Sequence, residues 1–381
     1  MSLPEPTPEA RAHSDRVAAH IREQIAASGG WISFSRYMEI VLYAPGLGYY
    51  SAGSRKLGKA GDFVTAPEIS PLYGQTLARQ VKQVFNAGFD EILEVGAGSG
   101  ALAATLLEEL ERSGGLPRNY LILELSADLR ERSRDALAAR VPHLLERVAW
   151  LNRLPPAFSG VVLGNEVLDA MPATVVRVEG GKIEEGGVGI RNDRLDWSWR
   201  VAAGEVLAAA QALALPEGFR SEIQLAALGF IRSLAQMLEK GVALFVDYGF
   251  PAKEYYHAQR REGTLMCHYR HHAHPDPFFA PGLQDITCHV DFSAVARAAR
   301  ESGLDLLGYT GQAQFLVNCG ITQIMARTPA EDGAKFLPLA SQANRLMSPA
   351  EMGELFKVIA LGRKYPGALA GFSEGDRRDA L

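Results

Sequence analysis

Cysteine is scarce in this sequence, and its scarcity limits the class of protein. The 381 residues contain three cysteines: Cys267, Cys288 and Cys319. This number is too small, and is odd, for the disulfide framework that stabilises small secreted domains. We therefore expect a protein that works in a reducing compartment.

Long apolar runs and an excess of positive charge are also missing. No uncharged apolar stretch reaches the roughly 18 residues that a membrane-spanning helix needs. The first 28 residues lack the basic start and apolar run of a signal peptide. With a net charge of −5, the chain has no overall basic field that would attract nucleic acid. We expect a cytoplasmic protein with no membrane span and no nucleic-acid partner.

The sequence instead alternates short apolar runs with helical patterns. Runs of this kind are typical of parallel strands that are buried on both faces. Helical patterns at 101–114 and 126–141 separate the first runs, and Ser126 is placed as an N-cap. The alternation predicts an α/β fold with helices on both faces of a sheet. The four runs are "EILEVGAG" (91–98), "NYLILELS" (119–126), "GVVLGNEV" (160–167) and "GVALFVDYG" (241–249).

Other regions do not share this alternation, and they divide the chain. We predict a core over 81–172 and 236–330. An N-terminal helical segment over 1–80 precedes it, and a C-terminal helical extension over 331–381 follows it. Within 173–235, apolar stretches joined by Gly-Gly and Asn-Asp turns indicate small strands, and a helical stretch follows. We interpret 173–235 as an inserted subdomain.

The glycines of "EVGAGSGA" indicate a turn that passes close to a ligand. Gly96, Gly98 and Gly100 permit unusual backbone angles and close approach. A plain tight turn is the alternative. With Ala101 in the third small position, the pattern also fits a loose dinucleotide fingerprint. Glu124 ends the second apolar run, where a carboxylate can accept both hydroxyls of a ribose. The pattern therefore predicts a nucleoside ligand and leaves its identity open.

Acidic residues at the end of the third apolar run favour a methyl donor as that ligand. Asn165 and Glu166 end the run, and Asp169 follows three residues later. If a helix begins near Glu166, both carboxylates lie on one side of its first turn. Such a pair would hold a cationic acceptor and receive its proton. The alternative is a pair of acids that only stabilises a helix start.

The histidine-rich stretch "CHYRHHAHPDPFF" (267–279) raises the question of a zinc site. It contains no C-x-x-C pair, and its spacing matches no standard zinc site. We predict no metal. We expect this stretch to form a loop on the acceptor side, in which His272, Asp276 and Asp285 contribute.

Several stretches together resemble the MidA-like family of S-adenosylmethionine-dependent methyltransferases, which includes a mitochondrial complex I assembly methyltransferase. Among them, "GDFVTAPEIS" is the most specific and the glycine turn the least. Ala97 and Ser99 depart from the mitochondrial member, which has a proline and an arginine there. The stretches are "LGYYSAGSRKLGKAGDFVTAPEISPLYG" (47–74), "EVGAGSG" (94–100), "GNEVLDAMP" (164–172), "VDYG" (246–249), "DITCHVDFSAV" (285–295), "FLVNCGI" (315–321) and "LMSPAEMGELFKV" (346–358).

The resemblance implies a class I methyltransferase core with a Rossmann-like sheet, and S-adenosylmethionine as the cofactor. It implies that Asp62 and Thr65 close over the cofactor and that Asp62 takes its ammonium group. Glu68 either caps a short helix or contributes to the site. Asp247 and Tyr248 would line the acceptor site, unless they only form a turn. The residues assigned to the cofactor are Asp62, Thr65, Glu94, Gly96, Gly98, Gly100, Glu124, Leu151, Asn152 and Asn165.

The resemblance also implies an acceptor, namely an arginine of a partner protein such as a subunit of respiratory complex I. We assign catalytic roles to Glu166, Asp169, Asp247 and His272. Three alternatives stay open: a small-molecule methyltransferase, a cofactor-binding assembly chaperone with little turnover, and a dinucleotide-dependent dehydrogenase.

Overall fold

A computed structural model describes residues 3–52 and 64–381 of the chain. Within these ranges the helices are α1 (Pro8–Ala27), α2 (Phe34–Tyr43), α3 (Ala66–Ile69), α4 (Pro71–Asn86), α5 (Ala101–Arg112), α6 (Ala127–Arg140), α7 (Gly204–Leu213), α8 (Leu225–Met237), α9 (Ala252–Tyr255), α10 (Phe292–Glu301), α11 (Gln312–Asn318), α12 (Ile321–Met325) and α13 (Gly333–Met347). The strands are β1 (Ile32–Ser33), β2 (Glu91–Val95), β3 (Asn119–Leu123), β4 (Val148–Leu151), β5 (Phe158–Asn165), β6 (Thr174–Glu179), β7 (Lys182–Arg191), β8 (Arg194–Val201), β9 (Arg220–Ile223), β10 (Leu238–Phe250), β11 (Met266–Tyr269), β12 (His272–His274), β13 (Asp285–Thr287), β14 (Val290–Asp291), β15 (Asp305–Gly311) and β16 (Phe356–Arg363).

The described residues form two compact units, and each draws on separate stretches of the chain. The parallel-sheet unit contains 64–167, 230–251 and 292–381. The antiparallel-sheet unit contains 3–52, 168–229 and 252–291. The domain boundaries expected from the sequence stay a prediction.

The strands of the parallel-sheet unit lie in the order β15-β16-β10-β5-β2-β3-β4. Strands β10, β5, β2, β3 and β4 are mutually parallel. Strand β16 runs against both of its neighbours, β10 and β15. The chain builds outward from β2 through β3 to β4 and then returns to place β5 on the other side of β2. This reversal leaves a crevice at the carboxyl ends of β2 and β5, where sheets of this kind bind ligands.

The apolar runs of the sequence form this sheet, as predicted. The four runs coincide with β2, β3, β5 and β10, and their central residues are buried. The two predicted helices are α5 and α6, and the Ser126 hydroxyl caps α6 by accepting the Leu129 N–H. Burial on both faces explains why these strands have continuous rather than alternating apolar residues.

The C-terminal extension is not wholly helical, so that part of the prediction was wrong. It contains α13 and then β16, which lies between β10 and β15. Eight residue pairs, from Gly241 with Arg363 to Tyr248 with Phe356, join β16 to β10. Pairing with strands distant in sequence determines the structure of this segment, and local patterns do not carry that information.

The antiparallel-sheet unit confirms the small strands expected within 173–235. Strands β6 and β7 are joined through Gly180 and Gly181, and β7 and β8 through Asn192 and Asp193. All four of these turn residues have positive φ, which is the backbone that two-residue hairpin turns require. A second sheet has the order β12-β11-β13. In the ranges described here, no helix is long and apolar enough to cross a membrane. The cytoplasmic location stays a prediction.

Candidate functional site

The turn after β2 has a backbone that only glycine adopts readily. Gly96, Gly98 and Gly100 have φ values of 68°, 54° and 81°. The Gly96 N–H donates to the Leu123 carbonyl over 2.9 Å, which ties the turn to the end of β3. A Cβ atom on Gly100 would lie 2.9 Å from the Ser133 Cα, closer than real Cβ atoms approach. The glycines therefore serve both the backbone conformation and close packing against α6.

Glu124 follows β3 and is bonded to the glycine turn. Its Oε2 accepts the Gly98 N–H at 3.3 Å, and its Oε1 accepts the Ser126 N–H at 2.9 Å. Burial raises the pKa of this carboxyl, while the backbone donors act in the opposite direction. An ionised carboxylate has about four acceptor positions. The N–H groups of Gly98, Ser126 and Leu125 all act on this carboxyl, so about one acceptor position remains for a ligand, and the assignment of Glu124 to the ribose stays a prediction.

Glu94 lies in β2 itself, and its side chain is only 2% exposed. The Tyr120 hydroxyl of β3 donates to its Oε2 over 2.7 Å. Burial raises the pKa of Glu94 to about 7, and the Tyr120 hydrogen bond partly offsets this rise. The side chain thus connects two strands beneath the turn. Its assignment to the cofactor stays a prediction.

The end of β4 carries Leu151 and Asn152, two of the residues assigned to the cofactor. Leu151 is the last residue of the strand and is half-buried, whereas Asn152 lies in the bend that follows and is exposed. Trp150 donates its indole N–H to the Ser133 hydroxyl over 2.9 Å, and the Arg134 guanidinium lies over its ring. The strand end is therefore anchored to α6. The cofactor contacts assigned to Leu151 and Asn152 stay predictions.

At the end of β5, hydrogen bonds connect Tyr73 of α4, Asn165 and Glu166. The Tyr73 hydroxyl donates to the Asn165 Oδ1 over 2.6 Å, and the Asn165 amide donates to the Glu166 Oε1 over 3.0 Å. Burial raises the Tyr73 pKa well above its ordinary value, and the Glu166 charge raises it further. Tyr73 therefore stays protonated and acts as a donor.

No helix begins at Glu166, so the expected helical pairing of Glu166 with Asp169 was wrong. Glu166 has a φ of 53°, and its N–H donates to the Val246 carbonyl of β10 over 2.8 Å. Residues 166–173 form bends and a turn instead. A glutamate in the left-handed region carries backbone strain, and such strain is frequent at functional sites. Glu166 belongs to the parallel-sheet unit and Asp169 to the other unit.

Asp247 fixes the backbone on either side of this strand end. It is 1% exposed. Its Oδ2 accepts the Val167 N–H at 3.1 Å, and its Oδ1 accepts the Tyr248 N–H at 3.0 Å. These bonds hold the segment that follows Glu166 against β10. Asp247 can therefore act by positioning Glu166, and its catalytic assignment stays a prediction.

Sequence analysis missed a contact between Glu68 and the glycine turn. Glu68 lies in α3, and its Oε1 accepts a hydrogen bond from the Ser99 hydroxyl. The only sequence signal was the position of Glu68 in the most family-specific stretch. Thr65 precedes α3 as its N-cap residue, but its side chain makes no capping bond. Asp62 lies outside the described residues, so its assignment stays a prediction.

Three of the acceptor-side candidates, Asp169, Asp285 and His272, lie in the antiparallel-sheet unit. Asp169 and Asp285 are both buried, and the Tyr50 hydroxyl donates to the Asp285 Oδ1 over 2.8 Å. Burial raises the Tyr50 pKa well above its ordinary value, with Asp285 as the next cause and Asp169 as a smaller one. Tyr43 stacks on Tyr50 with 5.5 Å between ring centroids. This unit therefore has two carboxylates close to one aromatic pair.

His272 begins β12 and is half-buried. Its Nδ1 lies 2.7 Å from the Arg270 carbonyl oxygen, so Nδ1 carries the proton in this contact. The turn before it, Arg270 and His271, has positive φ at both residues. Its catalytic assignment stays a prediction. In the described part of the chain, no three His, Cys, Asp or Glu side chains come together as metal ligands.

The fold and site together define a class of protein. A sheet of this strand order with one reversed strand, a glycine turn after β2 and a carboxylate after β3 is the core of a class I methyltransferase. Residues 74–310 match the family model of S-adenosyl-L-methionine-dependent methyltransferases. The chain belongs to this family, and its methyl donor is S-adenosyl-L-methionine.

Solved structures and curated proteins are similar to the chain over most of its length. A Burkholderia thailandensis protein, crystallised with S-adenosyl-homocysteine, is 52% identical with a TM-score of 0.96, and the match covers all of both chains. The "Protein arginine methyltransferase NDUFAF7 homolog, mitochondrial" of Drosophila melanogaster is 28% identical over 97% of this chain and 90% of its own. Its Mus musculus counterpart is 29% identical over 92% and 86%.

Proposed function

We propose that this methyltransferase modifies an arginine side chain of a partner protein. One structural observation carries the proposal: Glu166 is held in a left-handed conformation at the carboxyl end of β5, with Asn165 bonded to its carboxylate. The names of the curated relatives support the same acceptor. Both arguments concern the acceptor, because the family already gives the donor.

An arginine acceptor needs a carboxylate for chemical reasons. A guanidinium stays protonated, with a pKa above roughly 12, and its nitrogens have no free lone pair. A carboxylate that accepts two of its N–H groups draws the positive charge toward those nitrogens, so that another nitrogen becomes nucleophilic. The same negative charge offsets repulsion between the guanidinium and a cationic methyl donor. Glu166 is our choice for this role.

The remaining residues of the chain would position the reactants. When bound, the cofactor supplies a methyl group on a sulfonium, which is a good leaving group. Catalysis then depends on alignment, with reacting atoms roughly 3 to 3.5 Å apart. Glu124 would hold the ribose, the glycine turn would admit the amino-acid part, and Asp247 would keep Glu166 in place. Asp169 and His272 belong to the antiparallel-sheet unit, and their catalytic roles stay predictions.

A methylation assay in a lysate tests the acceptor. The purified protein is incubated with methyl-labelled S-adenosylmethionine and size-fractionated lysate, and labelled proteins are mapped by mass spectrometry. We expect label on arginine in the protein fraction, and a complex I subunit would be tested as a purified substrate. Label confined to small molecules would contradict the proposal and favour a small-molecule methyltransferase.

Variants at two carboxylates make the assay specific for the site. We expect Glu166→Gln to lower the rate by at least about 100-fold, in the range found when one stabilising group at a reacting centre is removed. S-adenosyl-homocysteine binding should change little. Asp193→Asn, in the exposed turn between β7 and β8, serves as the matched control and should keep full activity. Equal activity of Glu166→Gln and wild type would refute the assigned role.

A further inference from the structure

Glu68 is a carboxylate at the glycine turn whose negative charge has no cationic partner among the described residues. It is half-buried, in the four-residue helix α3. Its Oε1 accepts the Ser99 hydroxyl, which is a neutral donor. Within 3–52 and 64–381 the hydrogen bond from Ser99 is the only polar contact of the Glu68 carboxylate, and no ion pair forms with it. A carboxylate partly removed from water is stabilised by a positive charge nearby.

Two consecutive residues of the glycine turn each donate a hydrogen bond to a carboxylate. Gly98 donates its N–H to Glu124, and the next residue, Ser99, donates its hydroxyl to Glu68. Glu124 follows β3 and is assigned to the ribose. Glu68 comes from α3, so it reaches the turn from a different element. The two acids therefore suit two different groups of one ligand.

The methyl donor and its demethylated product each carry one ammonium group, on the amino-acid part. That group is the only cation the two ligands share, because the sulfonium charge is lost in the product. We propose that Glu68 binds the α-ammonium of the cofactor, with Ser99 holding one carboxylate oxygen so that the other accepts the ammonium N–H. This assignment rests on the family's cofactor and does not depend on which acceptor is methylated.

The competing explanation is that Glu68 only stabilises the glycine turn through Ser99. The two explanations differ in what the ligand must contain. An ammonium-binding residue affects only ligands with an amino group, whereas a turn-stabilising residue affects every ligand that uses the turn. Paired ligands that differ in this one group therefore separate them.

The experiment is a calorimetric titration with S-adenosyl-homocysteine and with its deamino analogue, in which hydrogen replaces the amino group. Wild type should bind the amine-bearing ligand at least about 10-fold more tightly, in line with the strength of hydrogen bonds to charged groups. Glu68→Gln, which keeps an acceptor for Ser99, should remove that preference and leave affinity for the deamino analogue within about twofold. Activity is not needed for this readout.

Three variants complete the test. Ser99→Ala removes only the hydroxyl and should keep most of the preference. Ser99→Arg places a cation beside Glu68 and should reduce the preference as Glu68→Gln does. Asp62→Asn tests the carboxylate that sequence analysis had assigned to the ammonium. Equal weakening of both ligands by Glu68→Gln, an unchanged preference, or a preference lost in Asp62→Asn but kept in Glu68→Gln would overturn the proposal.

Discussion

The stability of Glu94→Gln relative to wild type should increase with pH. The variant should therefore gain most over wild type at alkaline pH. Burial raises the pKa of Glu94 from 4.5 to about 7. At about 1.36 kcal/mol for each pKa unit, this difference corresponds to roughly 3 kcal/mol. Glutamine has a similar shape, does not ionise, and keeps an oxygen for the Tyr120 hydroxyl.

The sign follows from proton binding. Between the two pKa values, the folded protein holds the Glu94 proton while the unfolded chain releases it. The contribution of Glu94 to stability is therefore fully present below about pH 4.5 and is lost as the pH rises through about 7. The free energy of unfolding of Glu94→Gln, minus that of wild type, should increase by roughly 2 to 3 kcal/mol from about pH 5 to about pH 8.5.

Urea unfolding followed by circular dichroism at several pH values measures this difference. Tyr120→Phe is the companion variant, because it removes the hydrogen bond that lowers the Glu94 pKa. It should extend the pH-dependent loss to higher pH. A Glu94→Gln difference that is the same at every pH would show that the carboxyl titrates alike in both states, and the reasoning would fail.

Two further changes test the packing of the parallel-sheet unit. Gly100→Ala should destabilise by more than about 2 kcal/mol in urea unfolding, because a left-handed backbone is combined with a close contact to Ser133. Gly114 also has a positive φ, of 69°, but open space surrounds it. Gly114→Ala should therefore show only the conformational cost of about 1 kcal/mol. Equal losses of stability in Gly100→Ala and Gly114→Ala would contradict the packing argument. Arg327→Met removes two hydrogen bonds, at 3.0 and 3.1 Å, to the buried Glu109, and should lower stability by about 2 kcal/mol, because Arg112 still bonds both oxygens of Glu109. Arg118→Met breaks an ion pair in which the arginine is 64% exposed and Glu91 keeps its hydrogen bond from Asn119, so it should cost less than about 1 kcal/mol; a similar loss in both variants would contradict this difference.

Most strands of the parallel sheet could be predicted from sequence because neighbouring residues are enough to identify each of them. Continuous apolar runs identify β2, β3, β5 and β10, and Ser126 marks the start of α6 without reference to distant residues. Strand β16 was missed because its place between β10 and β15 depends on residues more than forty positions away. Local patterns cannot specify a partner at that separation.

In the site, too, local patterns could be predicted and contacts between distant segments could not. The glycines and Glu124 could be found because the turn needs those residue types at a fixed spacing. The contact of Glu68 with Ser99 and that of Asp247 with the Val167 N–H join segments 31 and 80 residues apart. The helix expected at Glu166 is absent for a related reason. The Glu166 N–H donates to the Val246 carbonyl of β10, and the chain does not form a helical turn there.

A calorimetric titration of wild type and Glu124→Gln with S-adenosyl-homocysteine and NAD⁺ tests most directly where the cofactor binds. The account predicts that wild type binds one S-adenosyl-homocysteine per chain and no NAD⁺, and that Glu124→Gln binds the nucleoside about 10-fold or more weakly. Undiminished binding by Glu124→Gln, or binding of NAD⁺ by wild type, would contradict the placement of the methyl donor on the glycine turn.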